Sequence, residues 1–93
     1  MGILWSEEED RICCEAVVRD FVKSNTNKAI ADVLDEICAH KEIKHGKNVV
    51  RMRLSHIKHL LTIMNVQNSL PLSPLSHAGK QTERILRDVL RQN

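Results

Sequence analysis

A regular helical spacing of aliphatic residues is the feature that most limits how this chain can fold. Between residues 48 and 65 the apolar positions are separated by steps of four and three residues, as on one face of an α-helix: Val50, Leu54, Ile57, Leu61 and Met64. The chain contains one Trp, one Phe and no Tyr, so its core must consist largely of aliphatic side chains and Cys. With only three Gly and two Pro, this composition favours helices over a β-sandwich or β-barrel. The predicted fold class is all-α.

The chain is long enough for one domain with a single hydrophobic core, and 42% of its 93 residues are hydrophobic. We predict a compact four-helix domain over residues 1–93, with helices at about 6–24, 28–41, 48–65 and 77–92. The connector at 65–76 contains two prolines, which exclude a helix interior. It also contains three leucines, which we expect to pack back on the core: Leu70, Leu72 and Leu75.

Local signals mark where these helices begin and end. Ser6 followed by Glu9 is a capping-box pattern, and the acids at 7–10 lie at the positive end of the helix dipole. Asn27 and Ser76 are the expected N-caps of the second and fourth helices, and Gly46 is expected to adopt a left-handed conformation. Other apolar or small side chains recur at helical spacing and are expected to face inward: Cys13, Cys14, Val17, Val18, Phe21, Ala29, Ile30, Val33, Leu34, Ile37, Cys38, Thr82, Ile85, Leu86 and Val89.

Charge is divided unevenly between the two halves of the chain. Residues 1–42 contain ten acids and five bases, whereas residues 43–93 contain two acids and nine bases, so the formal charges are −5 and +7. The net charge of +2 hides this division, and no acid at all occurs between residues 43 and 82. A segment whose charged residues are all basic is typical of a surface that contacts phosphate groups.

Two predicted helix faces could use this charge. Opposite its apolar stripe, the third predicted helix presents cations and short polar groups, which are the residue types that contact phosphates and base edges. The fourth predicted helix carries a stripe of four cations over about 16 Å, at 1.5 Å per residue, which could follow a phosphate backbone. The candidate nucleic-acid-binding residues, including two lysines before the third helix, are Lys44, Lys47, Asn48, Arg51, Ser55, Lys58, Lys80, Arg84, Arg87 and Arg91.

Other interpretations of the same charges stay open. Glu83 precedes Arg87 by four residues, and Arg84 precedes Asp88 by four, as on an ordinary solvated helix. The acidic first helix could also face the basic half within the fold, so that the charges balance internally. Alternatively, the basic half could dock an acidic protein partner.

Two segments resemble parts of a known family. The opening Trp5-Ser6-Glu7-Glu8-Glu9-Asp10 resembles the W-[ST]-x-E-E-D start of Myb/SANT-like helical domains. Residues 48–60, NVVRMRLSHIKHL, look like the third-helix pattern of DNA-associated modules at the N-terminus of some bacterial HNH-endonuclease-type proteins. Lys47-Asn48 replaces the usual Gly-Ser of that pattern, and His56 replaces its Asn. The resemblance implies a helix-turn-helix-like core that contains Trp5 and a third helix that enters the major groove.

No pattern in the sequence points to catalysis or to a cofactor. A phosphate loop, a dinucleotide fingerprint and an H-E-x-x-H motif are all missing. Cys13 and Cys14 lie on an apolar helical face, where a thiol behaves as a small hydrophobic group. His56 and His59 lack the second ligand pair that a structural zinc site needs. We therefore expect no enzyme activity, no cofactor and no metal.

The combined prediction is a non-catalytic module that binds or targets double-stranded DNA, with the third helix as the recognition element. Its few contacts suggest a homodimer or a partner subunit. The alternative is a protein–protein interaction module without nucleic-acid affinity, such as a phage or host-defence inhibitor or adaptor. No apolar run is long enough to span a membrane, and three cysteines, two of them adjacent, predict reduced thiols, so we expect a cytoplasmic location.

Overall fold

Four α-helices and one π-helical turn form the regular structure of the computed structural model, which describes residues 4–24, 28–76 and 79–92. The elements in chain order are α1 (Glu7–Val17), the π-helical turn Val18–Val22, α2 (Ile30–Cys38), α3 (Lys47–Ile63) and α4 (Lys80–Gln92). These ranges contain no strand, which confirms the predicted all-α class. The Cα radius of gyration is 12.0 Å, close to the value of about 12 Å expected for a compact chain of this length.

The start of α1 has the predicted capping box. The Ser6 hydroxyl accepts a hydrogen bond from the Glu9 amide at 3.1 Å, and the Glu9 carboxylate accepts one from the Ser6 amide at 3.1 Å. After Val17 the chain continues as the π-helical turn, which closes with a hydrogen bond from the Lys23 amide to the Val18 carbonyl at 2.8 Å. The first predicted helix is therefore continuous from Glu7 to Val22, and its last turn is π-helical and wider.

The second helix is shorter than predicted. It begins after Ala29, which has an extended backbone and caps the helix without a side-chain hydrogen bond, and it ends at Cys38 rather than near residue 41. Ala29 is exposed, so its predicted inward position is wrong, whereas Val33, Leu34 and Ile37 are buried as expected. The predicted cap Asn27 lies outside the described residues.

The ends of α3 are defined by two different backbone conformations. Gly46 is its N-cap, with φ −76° and ψ 170°, so the predicted left-handed conformation of this glycine is wrong. At the other end Asn65 adopts a left-handed conformation with φ 60°. The amides of Asn65 and Val66 donate to the carbonyls of Thr62 and Leu61, at 3.1 and 2.9 Å. This is a Schellman motif, which satisfies the last carbonyls of the helix and ends it before residue 65.

The connector between α3 and α4 packs against the helices as expected from its leucines. Leu70 and Leu72 are buried in the core, whereas Leu75 is exposed. The Ser69 amide donates to the Phe21 carbonyl at 2.8 Å, and the Leu75 amide donates to the Ser55 carbonyl at 3.1 Å. The π-helical turn after α1 and the middle of α3 therefore hold the connector in place.

The last helix begins at Lys80, later than the predicted residue 77. Ser76 lies four residues before that start, so the prediction that Ser76 caps the helix is wrong. The four side chains predicted to face inward from this helix are all buried: Thr82, Ile85, Leu86 and Val89.

The apolar faces of the helices meet in one core of aliphatic side chains, Cys13, Cys14 and Phe21. The predicted stripe of α3 is confirmed, since Val50, Leu54, Ile57 and Leu61 are fully buried and Met64 is half-buried. Complete burial of one such side chain contributes about 1.5–3 kcal/mol to folding. α1 packs mainly against α4, and α3 contacts the other three helices.

The finer prediction of a helix-turn-helix core is not confirmed. Residues 39–46 separate α2 from α3, whereas that motif joins its two helices by a turn of about three or four residues. In the part of the chain that the structure describes, no helix is both long and apolar enough to cross a membrane.

Candidate nucleic-acid interface

The acidic first half of the chain faces the basic second half in the folded domain. Glu7 lies 3.1 Å from Arg84, and Arg11 lies 3.1 Å from Asp88, so ion pairs of both polarities link α1 to α4. Three further pairs cross between the halves: Glu9 with His45, Asp10 with Arg53, and Asp35 with Lys47. Much of the charge difference between the two halves is therefore balanced within the fold, as one of the open interpretations supposed.

The cationic stripe of α4 exists, but most of its charges have acidic neighbours. Arg84 pairs with Glu7, Arg87 with Glu83 at 2.8 Å, and Arg91 lies 3.9 Å from Asp88. Exposed pairs of this kind are individually worth about 0–1 kcal/mol, so they hold the side chains only weakly. Among the residues that the structure describes, Lys80 is the member of this stripe without an ion-pair partner. The charge of the stripe is therefore partly balanced within the fold.

The first two turns of α3 keep more of the exposed cationic and polar side chains that were predicted for this helix. Asn48 and Arg51 are exposed and lie three residues apart on one helix face. Arg51 forms no ion pair with any residue in the described ranges. Lys47 is also exposed but pairs with Asp35 of α2. In the preceding loop the Lys44 ammonium donates to the carbonyl of Lys41 at 3.1 Å and forms no ion pair in the described part of the chain.

The middle of the predicted α3 face is covered by the connector. Ser55 is only 7% exposed, so its predicted contact with a base edge is wrong for this fold. The connector crosses α3 here, because the Ser55 carbonyl accepts the Leu75 amide. One turn further on, the half-buried Lys58 donates from its ammonium to the side-chain oxygen of Asn68 at 2.8 Å. The exposed cationic part of α3 is therefore its N-terminal end.

Glu9 is the centre of a buried polar cluster that was not predicted from the sequence. Its side chain is only 1% exposed. The carboxylate accepts hydrogen bonds from the backbone amides of Lys44, at 2.8 Å, and Ser6, and it lies 2.7 Å from His45 Nδ1. Burial alone would raise the pKa of Glu9, but the hydrogen bonds from Lys44 and Ser6 and the contact with His45 lower the pKa below its usual value. The carboxylate thus joins the start of α1 to the loop before α3.

Asp10 forms the second part of this cluster and is fully buried. It accepts hydrogen bonds from Gln81 Nε2 at 2.8 Å and from the Thr82 hydroxyl at 3.2 Å, both on α4. Arg53 Nε lies 3.3 Å from the other carboxylate oxygen, and Arg53 Nη1 donates to the Thr82 hydroxyl at 2.7 Å. Asp10 and Arg53 therefore connect α1, α3 and α4 at one end of the domain.

Trp5 packs on this cluster at the edge of the core. Its ring stacks on His45 with centroids 4.2 Å apart and planes 4° apart, and the Arg53 guanidinium lies 4.2 Å from the ring centroid. The Trp5 carbonyl accepts a hydrogen bond from Gln81 at 3.0 Å. Trp5 is half-buried and links the chain before α1 to α3 and to the loop that precedes it.

A sequence signal for this cluster exists in the position of Arg53. Arg53 lies three residues after Val50 and four before Ile57, on the inward side of the helical pattern. A cation at such a position requires an acid inside the fold, because a buried charge without a partner is very unfavourable. Glu9 and Asp10 were not identified as its partners, because acids in the first turn of a helix are already explained by the helix dipole.

Cys13 and Cys14 lie inside the core and not at the surface. Burial raises the pKa of Cys13 and Cys14 above the ordinary value, which keeps both thiols protonated and poorly nucleophilic. Over residues 4–24, 28–76 and 79–92, no three His, Cys, Asp or Glu side chains come together as a metal-binding group.

Comparison of the chain with protein-family models, with curated proteins and with solved structures gives no significant match in any of the three. The resemblance to Myb/SANT-like modules stays a prediction.

Proposed function

We propose that the domain binds double-stranded DNA through the first two turns of α3 and the loop that precedes them. The observation that supports this proposal is the contrast between two exposed arginines. Arg51 of α3 forms no ion pair in the described ranges, whereas Arg87 of α4 is paired with Glu83. An unpaired, exposed cation gains most from a phosphate group, because binding does not require an existing ion pair to break.

The exposed residues at this end of α3 are suited to contact the phosphates and base edges of DNA. Arg51 is suited to a phosphate or to a guanine edge, and Asn48 on the same face is suited to an adenine edge. The residues at the N-terminal end of a recognition helix are the ones that contact base edges in known helical readers. Lys44 and Lys47 would then contact the phosphate backbone, since the surface pair of Lys47 with Asp35 is easily exchanged.

The α4 stripe has a smaller part in this proposal. Arg84, Arg87 and Arg91 each have an acidic neighbour, so replacing one of them removes little net attraction for DNA. Lys80 at the start of α4 is the stripe residue expected to contribute most. The connector excludes Ser55 from the interface and holds the ammonium of Lys58 on Asn68.

The test is the salt dependence of binding to a short, mixed-sequence, dye-labelled duplex, followed by fluorescence anisotropy. Three or four neutralised phosphates predict a log–log slope of about −3 to −4 between the association constant and the salt concentration. No measurable binding at about 50 mM salt contradicts the proposal.

Paired variants identify the surface. Arg51→Ala is expected to weaken binding by about fivefold or more and to reduce the slope by about one. Arg87→Ala is the matched control, because it removes an arginine of similar exposure that is already paired. Equal losses in the two variants would show that general positive charge, rather than α3, is responsible.

A further inference from the structure

The third helix has a second face with heptad spacing, separate from the face that it buries. Positions 49, 52, 56, 59 and 63 are separated alternately by three and four residues, as the a and d positions of a coiled coil are. We call these residues the outer seam: Val49, Met52, His56, His59 and Ile63. The buried face of the same helix has the same kind of spacing, so α3 has two seams of which only one is covered by the domain.

The apolar members of the outer seam are unusually accessible. Val49, Met52 and Ile63 are 42%, 53% and 61% exposed, and they account for three of the five large hydrophobic residues exposed in the described ranges. The two histidines between them are half-buried. The seam extends over about 21 Å at 1.5 Å per residue, which is about four helical turns or two heptads.

This pattern fits the side of a second helix. Residues spaced by three and four along a helix pack into the holes of a partner helix whose apolar residues follow the same spacing. Exposed apolar residues that are scattered singly need no explanation, but three in one helical register indicate an interaction surface.

The charges around the seam determine the kind of helix. α3 contains four cations and no acid: Lys47, Arg51, Arg53 and Lys58. Arg51 forms no ion pair in the described ranges, and the Lys58 ammonium donates to the neutral side chain of Asn68. A second copy of this chain would place cations of the same sign near each other, which is unfavourable. Arg51 and Lys58 each precede a seam residue by one position, about 100° around the helix, so carboxylates on that flank of an acidic helix would come within reach of their long side chains and of His59.

We propose that the outer seam of α3 docks an acidic amphipathic helix of another protein. The apolar residues of that helix pack against Val49, Met52 and Ile63, and its glutamates or aspartates face His59 and Arg51. The acidic helix and DNA would compete for Arg51, whereas the apolar contacts with Met52 and Ile63 belong to the helix alone. Variants of these two residues therefore distinguish this proposal from DNA binding.

The probe is a synthetic, dye-labelled helix of about three heptads, with leucine at its a and d positions and glutamate at the flanking ones. Binding to the full chain is measured by fluorescence anisotropy. A second peptide, in which every glutamate is replaced by lysine, tests charge, and we expect it to bind at least about tenfold more weakly. Equal binding of the two peptides would overturn the proposal.

Variants locate the site on the chain. The double variant Met52→Ala/Ile63→Ala is expected to weaken binding of the acidic peptide by at least about tenfold, because two apolar contacts are lost. Both side chains are exposed, so the fold is expected to persist, and circular dichroism checks this. Leu4→Ala is the control, because Leu4 is 89% exposed and lies outside the seam. An equal loss in the control, or none in the double variant, contradicts the assignment.

Sedimentation velocity tests whether a second copy of this chain occupies the seam instead. The free chain is expected to be monomeric at high micromolar concentration. A dimer that dissociates in the Met52→Ala/Ile63→Ala variant would assign the seam to a second copy and overturn the proposal.

Discussion

The Nδ1 atom of His45 lies 2.7 Å from Oε2 of Glu9, and the two side chains are only 8% and 1% exposed. This contact joins the loop before α3 to the first turn of α1. The same carboxylate oxygen accepts the amide of Lys44, and the other oxygen accepts the amide of Ser6. Glu9 therefore holds two separate parts of the chain together, while also completing the cap of its own helix.

Removal of the Glu9 carboxylate is expected to destabilise the domain strongly. Glu9→Ala leaves the Lys44 amide and the His45 imidazole without this acceptor, and the loss of one partner of a buried pair costs about 3 kcal/mol. Urea unfolding followed by circular dichroism measures the change. Glu8→Ala is the control, because this neighbouring glutamate is exposed and its removal should change stability by less than about 0.5 kcal/mol. Similar values for the two variants would contradict this role of Glu9.

Acid is expected to remove the contribution of Glu9. The pKa of Glu9 is below its ordinary value of 4.5, because the hydrogen bonds and the His45 contact outweigh the effect of burial. A carboxyl group with a lowered pKa in the folded state contributes stability that is present above the unfolded pKa and lost as the pH falls through the folded one. The stability difference between the wild type and Glu9→Gln should therefore shrink as the pH falls below 4.5. Urea titrations at several pH values measure it, and a constant difference would contradict the prediction.

Arg53→Lys is expected to destabilise the domain although it keeps the charge. A lysine ammonium cannot both contact the Trp5 ring as a planar group and donate to the Thr82 hydroxyl beside Asp10. We expect a loss of about 1–3 kcal/mol, measured by urea unfolding with the fluorescence of Trp5, the single tryptophan. Arg51→Lys, two residues away and exposed, is the control and should change stability by less than about 0.5 kcal/mol.

A serine at position 46 is expected to stabilise α3. Gly46 is the N-cap with an extended backbone, provides no side-chain hydrogen bond, and has nothing within 4 Å of an added Cβ atom. The hydroxyl of Gly46→Ser can accept one of the free amides of the first turn, whereas Gly46→Ala adds only the Cβ atom. The serine variant should therefore exceed the alanine variant by about 1 kcal/mol in free energy of unfolding. Equal stability would show that water already satisfies these amides equally well.

The core was predictable because its pattern is local and repeated. The spacing of Val50, Leu54, Ile57 and Leu61 identifies the buried face of α3 without knowledge of any other helix. The capping box at Ser6 was predictable for the same reason, since both of its hydrogen bonds lie within one helical turn.

The parts that could not be predicted depend on contacts between distant residues. Ser55 lies opposite the core stripe in projection, yet the path of the connector covers it. The cations of α4 form one stripe in the sequence, but the position of Glu7 beside Arg84 depends on how α1 packs against α4. A charge pattern along the chain thus predicts which side chains are exposed better than it predicts which of them remain unpaired.

The buried pair Cys13 and Cys14 gives the domain an internal reporter of its own opening. Because both thiols are fully buried and protonated, a thiol reagent can react with them only in molecules that have transiently opened. The half-buried Cys38 lies closer to solvent and should react first. The slower labelling of the adjacent pair therefore measures how often α1 separates from the rest of the domain under native conditions.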